Sequence, residues 1–162
     1  MFPATTTVSQ FVVSDVTKRY DDHVVLDRVS FTLRPGEKAG VVGDNGSGKS
    51  TLLRLLADTE QPDNGTVAVT APGGVGHLAA DLPKPIRTLS VGQRHRLELA
   101  RLLAGPVDLL LLDEPTNHLS PVLVEEMEAA LAQYAGTLVL VTHDRRIRAG
   151  FDGPELVLTP CR

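Results

Sequence analysis

The stretch "GDNGSGKS", Gly43 to Ser50, narrows the possible folds more than any other part of this chain. It lies between "KAGVVG" (Lys38 to Gly43) and "KSTLLRLLAD" (Lys49 to Asp58), which carries Leu52, Leu53, Leu55 and Leu56. The first reads as a short buried strand, the second as a helix packed on a sheet. Glycines at 43, 46 and 48 let the backbone curl so that successive N–H groups face one point. A helix starting near Lys49 aims its positive end at the same place. The order G-x-x-x-x-G-K-[ST] is that of a phosphate loop, in which the lysine bridges the β- and γ-phosphates and the next hydroxyl ligates Mg²⁺. Lys49 and Ser50 stand at those two places. A glycine-rich turn that happens to contain a lysine is the other reading, and the strand before and the helix after weigh against it.

The rest of the chain supplies more strands and helices. "FVVSDVTKRY" (Phe11 to Tyr20) and "HVVLDRVSFTL" (His23 to Leu33) read as strands, with a turn at Arg34 to Glu37. A turn at Pro62 to Gly65 precedes a strand "TVAVT". "VGQRHRLELARLLAG" reads as a helix capped by Ser90 and closed by Gly105 and Pro106. "VDLLLLDE" is a buried strand. A further helix opens with Ser120 as N-cap and Pro121 in its first turn, with Glu125 and Glu126 favouring its positive end. Leu123, Met127, Ala130 and Leu131 form its apolar side, and Gly136 stops it. "TLVLVTH" and "PELVLT" are the last strands. Buried strands alternating with helices imply an α/β fold with a largely parallel sheet covered on both faces.

Composition sets the class of partner. With 162 residues, 42% hydrophobic and 22% charged, the chain suits one globular domain with a real core. A net charge of −4 argues against a general electrostatic grip on nucleic acid, and Arg94, Arg96 and Arg101 read as the wet face of a helix. The apolar runs fall far short of the ~20 residues a bilayer needs, so no membrane segment is expected. The start "MFPATTTVSQF" has no secretory pattern. One cysteine, Cys161, permits neither an internal disulfide nor a zinc site, and a cytoplasmic location is expected.

"LLLLDEPTNHLS", Leu109 to Ser120, ends an apolar strand in two acids. Ligands of parallel sheets gather at the carboxyl ends of strands. Asp113 would then lie beside the phosphate loop and hold Mg²⁺, and Glu114 would orient or deprotonate an attacking water. Alternatively, Asp-Glu-Pro only solubilises a strand end, a reading that the phosphate loop disfavours.

Taken together, these residues resemble the ATP-binding cassette (ABC) ATPases. "GDNGSGKS" is similar to their Walker A, "LLLLDE" to Walker B with its catalytic glutamate, and "LSVGQ" (Leu89 to Gln93) to the signature. His143 in "VTHD" resembles the switch histidine, and Tyr20 the aromatic that stacks on adenine. "DEPTNHLS" and "VTHDRR" are further similar to the F subfamily, soluble cassettes that act on ribosomes, several in antibiotic resistance. The likeness runs from about Phe11 to about Leu158.

The resemblance implies ATP and Mg²⁺ as cofactors. It makes Glu114 and His143 catalytic, and Ser50 and Asp113 metal ligands. The nucleotide would be held by Tyr20, Gly43, Asn45, Gly46, Ser47, Gly48, Lys49, Ser50 and Thr51. Ser90, Gly92 and Gln93 would close on the γ-phosphate of a partner cassette, so the chain is expected to pair with itself or with another cassette. No Asn-Lys-x-Asp sequence occurs, which favours ATP over GTP. Tyr20 can also be read as a half-buried tyrosine at a strand end. His23, His77, His95 and His118 are given no catalytic role.

The expected fold is a P-loop NTPase core with an N-terminal antiparallel β portion. A tail (1–10) precedes a single nucleotide-binding domain (11–160). Three features depart from the family. Ala79 and Ala80 stand where a glutamine that senses Mg²⁺ is usual, and Ser120 stands where aspartate is usual. The helical lobe expected between Leu78 and Leu89 is replaced by a connector, 79–88. F-type proteins usually carry two cassettes and a long linker, and this sequence has one. Its front resembles a first cassette and its rear a second, as after an internal deletion. The sequence therefore leads to a Mg²⁺-dependent ATPase acting as a dimer, linked to translation or antibiotic resistance. A non-catalytic ATP-binding module is the alternative, and a transporter's energy subunit ranks last. Because ~1 Å of misplacement can cost ~10²-fold in rate, binding is expected to survive better than hydrolysis.

Overall fold

Two long strands begin the fold because their β-branched residues alternate with polar ones. β1 (Gln10–Tyr20) and β2 (His23–Leu33) form an antiparallel hairpin in which Tyr20 faces His23 across the Asp21-Asp22 turn. β4 (Asn64–Thr70) pairs with the other edge of β1, giving a three-stranded sheet in the order β2-β1-β4. The expected antiparallel N-terminal portion is this sheet. The computed structural model describes residues 10–79, 93, 101, 105, 107–117 and 119–161.

The second sheet has five strands, all parallel, in the order β5-β6-β7-β3-β8. They are β3 (Lys38–Gly43), β5 (Val75–Leu78), β6 (Leu109–Asp113), β7 (Thr137–Val141) and β8 (Glu155–Leu158). Every residue of β6 and β7 is buried, as a parallel strand covered on both faces requires. The two-residue period of a strand divides these side chains between two cores. Leu109, Leu111, Val139 and Val141 point to one side. There they meet Leu52, Leu53, Leu55 and Leu56 of helix α1 (Lys49–Leu56) and Phe11, Val13 and Leu33 of the antiparallel sheet. Leu110, Leu112, Leu138 and Leu140 point to the other. They pack on Met127 and Leu131 of α2 (Pro121–Gln133) and on Ile147 of α3 (Arg145–Ala149).

Local expectations shift at several points. α1 stops at Leu56, with Ala57 at its C-cap, two residues short of Asp58. Ser120 occupies the N-cap of α2 but its side chain makes no capping bond. The first turn of α2 carries no acid, because Glu125 and Glu126 lie past it. The helix yields to extended backbone at Tyr134, before Gly136. α3 is too short to show a period, and its signal is local: Asp144 Oδ1 accepts from the Arg146 N–H at 2.8 Å.

The connector 80–88, Ala80, Ser90, Gly92, His95 and His118 lie outside the described residues. Gln93 and Arg101 are helical and exposed. Among the described residues, no helix is long and apolar enough to cross a membrane.

Candidate functional site

β3 delivers the glycine loop to the carboxyl edge of the parallel sheet, and α1 leaves from it. Gly48, at φ +89°, is the N-cap of α1; a Cβ there would stand 2.7 Å from Leu26 Cδ2 and 2.9 Å from the Val25 carbonyl. At Gly43, φ +155°, a Cβ would collide with the Leu158 carbonyl. Neither place tolerates a side chain, which fixes glycine at both. A glycine N-cap also offers no side chain to the first amides of α1, leaving them for a ligand. Lys49, only 9% exposed, turns back on the loop, and its Nζ donates to the carbonyls of Gly43 at 2.8 Å and Asp44 at 2.7 Å. This places an ammonium over the curl of the loop, held by bonds that an anion can displace.

β6 and β7 bring the other groups to the same edge. Asp113 ends β6 and is 3% exposed. Glu114 follows at φ +46°, its N–H bonded to the Val141 carbonyl at 2.8 Å. His143 leaves β7 with Nε2 3.1 Å from Glu114 Oε1. The two are close without a directed bond, since Oε1 is shut off from solvent and has no hydrogen-bond partner. Burial, with the Asp113 charge added, raises the Glu114 carboxyl above the usual range, against His143 and Lys49, which lower it.

A cavity of about 420 Å³ joins these pieces. Asn45, Gly46, Gly48, Lys49, Ser50 and Thr51 form one wall, Asp113, Glu114 and His143 another, and Tyr20 the far end. Gly43 and Ser47 do not line it. The Ser47 side chain is 1% exposed, its Oγ has no partner, and it borders a separate hollow between β2 and the segment after β8. Gln93 is likewise not in the cavity wall. His23, which the sequence reading left without a role, does line the cavity. Its signal was the two-residue turn that sets it opposite Tyr20.

Tyr20 is 39% exposed yet firmly held. Its hydroxyl donates to Glu60 Oε1 at 2.6 Å and accepts from Arg54 Nη2 at 3.2 Å. Burial pushes the Glu60 carboxyl up, but bonds from Tyr20, Arg54 and Lys18 outweigh it and hold it below the usual range.

A nucleoside triphosphate with Mg²⁺ fits this donor set. The ammonium and open amides suit phosphate, and Ser50 and Asp113 supply hard oxygen donors for the metal.

The comparisons agree with the geometry. Residues 26–73 and 73–117 match the family model described as ABC transporter, and the chain belongs to that family of ATPase domains. Two of its curated relatives, both of the F type, show the likeness. Tylosin resistance ATP-binding protein TlrC of Streptomyces fradiae is 37% identical over 219 residues, covering 85% of this chain and 40% of TlrC. Ribosome protection protein VmlR of Bacillus subtilis is 31% identical, covering 91% of this chain and 34% of VmlR. The chain thus spans well under half the length of these relatives. An alignment of 219 residues over 85% of a 162-residue chain also contains long stretches of TlrC with no counterpart here. Among solved structures, the "Dimeric Structure of MJ0796, a Bacterial ABC Transporter Cassette" superposes with a TM-score of 0.80 at 19% identity, over 92% of this chain and 94% of that one. That likeness establishes the cassette fold.

Proposed function

We propose that this chain binds Mg·ATP in the cavity between the glycine loop and the ends of β6 and β7, and hydrolyses it. The observation that carries the reading is the convergence of Lys49, Ser50, Asp113, Glu114 and His143 on one cavity. Lys49 Nζ exchanges its carbonyl partners for phosphate oxygens, the amides of Gly46 and of Gly48 to Thr51 hold further oxygens, and Tyr20 offers its ring to the base. Ser50 and Asp113 would hold Mg²⁺, which when bound would neutralise phosphate charge. Glu114, its carboxyl made a better base by burial, accepts a proton from the attacking water in its ionised form. His143, whose Nε2 stands 3.1 Å from Glu114 Oε1, would donate a hydrogen bond to the γ-phosphate.

Turnover needs a second cassette, either a copy of this chain or another, whose Ser90, Gly92 and Gln93 would close over the γ-phosphate. Links to ribosome work and antibiotic resistance, and with them a cytoplasmic location, rest on what VmlR and TlrC are named for.

Phosphate release at saturating Mg·ATP, set against Lys49→Ala, tests hydrolysis; equal rates would end the ATPase reading. Light scattering of Glu114→Gln with ATP tests pairing, and a mass that stays monomeric counts against it. A second reading, an ATP-binding module without turnover, is favoured by Ala79 where the sensing glutamine is usual and by the stretches of TlrC that this chain lacks. Calorimetry that detects Mg·ATP binding without phosphate release would select it.

A further inference from the structure

A tyrosine at the tip of a hairpin, with more than a third of its surface exposed, would ordinarily sample several rotamers. A base stacking on it would have to halt that motion. Here the halting is already done. Glu60, in the loop between α1 and β4, takes the Tyr20 hydroxyl on Oε1 at 2.6 Å and Arg54 Nε on Oε2 at 3.1 Å. Arg54 closes the triangle through Nη2, 3.2 Å from the same hydroxyl oxygen. Lys18 Nζ stands 5.6 Å from the ring centroid and 3.4 Å from Glu60 Oε1.

The same Nη2 donates to Thr51 Oγ1 at 3.2 Å. Thr51 lines the cavity two residues after Lys49. One guanidinium on α1 therefore holds the phosphate wall and the tyrosine at the far end in a single bonded network.

We infer that Arg54 and Glu60 are positioning residues that hold the Tyr20 ring as a fixed plate for the nucleotide base, at a distance from the phosphate loop set by α1. This rests on the nucleotide reading of the cavity. Both Glu60 oxygens are occupied within the network, Oε1 by Tyr20 and Lys18 and Oε2 by Arg54, so neither reads the edge of the base.

The test compares Mg·ATP with Mg·tripolyphosphate, which has the phosphates and no base, by calorimetry on the whole chain. The wild type should prefer ATP. Glu60→Ala should weaken ATP by about fivefold to tenfold while leaving tripolyphosphate within about twofold, and Arg54→Met, which also releases Thr51, should weaken ATP by several-fold more than it weakens tripolyphosphate. Glu60→Gln, which keeps an acceptor for the phenol, should recover most of the loss. If both ligands weaken together, the residues merely support the fold and the inference is overturned. An unchanged ratio of the two affinities overturns it as well. A wild type that binds neither ligand would overturn the nucleotide reading itself, and this inference with it.

Discussion

At Glu114 the backbone takes a φ of +46°, a conformation that costs a non-glycine residue about 1–3 kcal/mol and persists where neighbours over-determine it. The bond from its N–H to the Val141 carbonyl is that constraint, and it aims the carboxyl into the cavity. The surroundings oppose its charge. A carboxyl whose pKa is raised by folding ionises first in the unfolded chain. Stability therefore falls as pH rises past the unfolded value near 4.5, and the loss persists at neutral pH. Glu114→Gln should consequently raise the melting temperature at pH 7 while abolishing phosphate release; a lower melting temperature would contradict this assignment of the charge. Gly48→Ala acts in the opposite direction. A Cβ 2.7 Å from Leu26 Cδ2, on backbone at φ +89°, should cost about 1–3 kcal/mol in denaturant unfolding and block Mg·ATP binding. Sequence alone reveals such residues where chemistry dictates a residue type at a fixed spacing, as at Gly48, Lys49, Asp113 and Glu114. It does not reveal Arg54 or Glu60. Their roles depend on the β1–β2 register and on where the loop after α1 folds back, and neither leaves a local pattern.

Elements are legible in proportion to how uniformly they are buried. The unbroken apolar runs of β6 and β7 announce strands covered on both faces, and their alternation between two cores follows from the pleat. Strand order is another matter. β3 lies between β7 and β8, a placement decided by packing across the whole sheet and marked by no residue of β3. α2 joins the sheet through few buried residues, Met127 and Leu131, while Val122 at its start is 64% exposed. Leu131→Ala should therefore cost about 2–5 kcal/mol, lowering the melting temperature by roughly 2–4 °C per kcal/mol. Val122→Ser should stay within about 0.5 kcal/mol of the parent. Comparable losses from the two would mean that α2 presents another face to the sheet.

Across the whole molecule, β5 pairs only with β6 among the described strands, so the chain between them leaves from the sheet's edge. Tyr134 ties the end of α2 back to the approach to β6 by donating to the Val107 carbonyl at 2.7 Å. Burial, aided by Asp108, pushes its phenol up to about 12. The unfolded chain loses this proton near pH 10, so stability is intact below that value and declines as pH climbs through about 12. Absorbance near ~295 nm should show one late-titrating phenol, and Tyr134→Phe should remove it together with part of the alkaline unfolding. The position of β3 bears on how the protein is made. Lys38 finds its ladder partner at Leu138 and Gly43 at Leu158, each about a hundred residues further along. A nascent chain can finish its first hairpin early, but the curl after β3 has nothing to brace it until Leu158 has emerged. Competence to grip a triphosphate thus waits for β8 to emerge, and a truncation before β8 should forfeit it even where the glycine loop itself is intact.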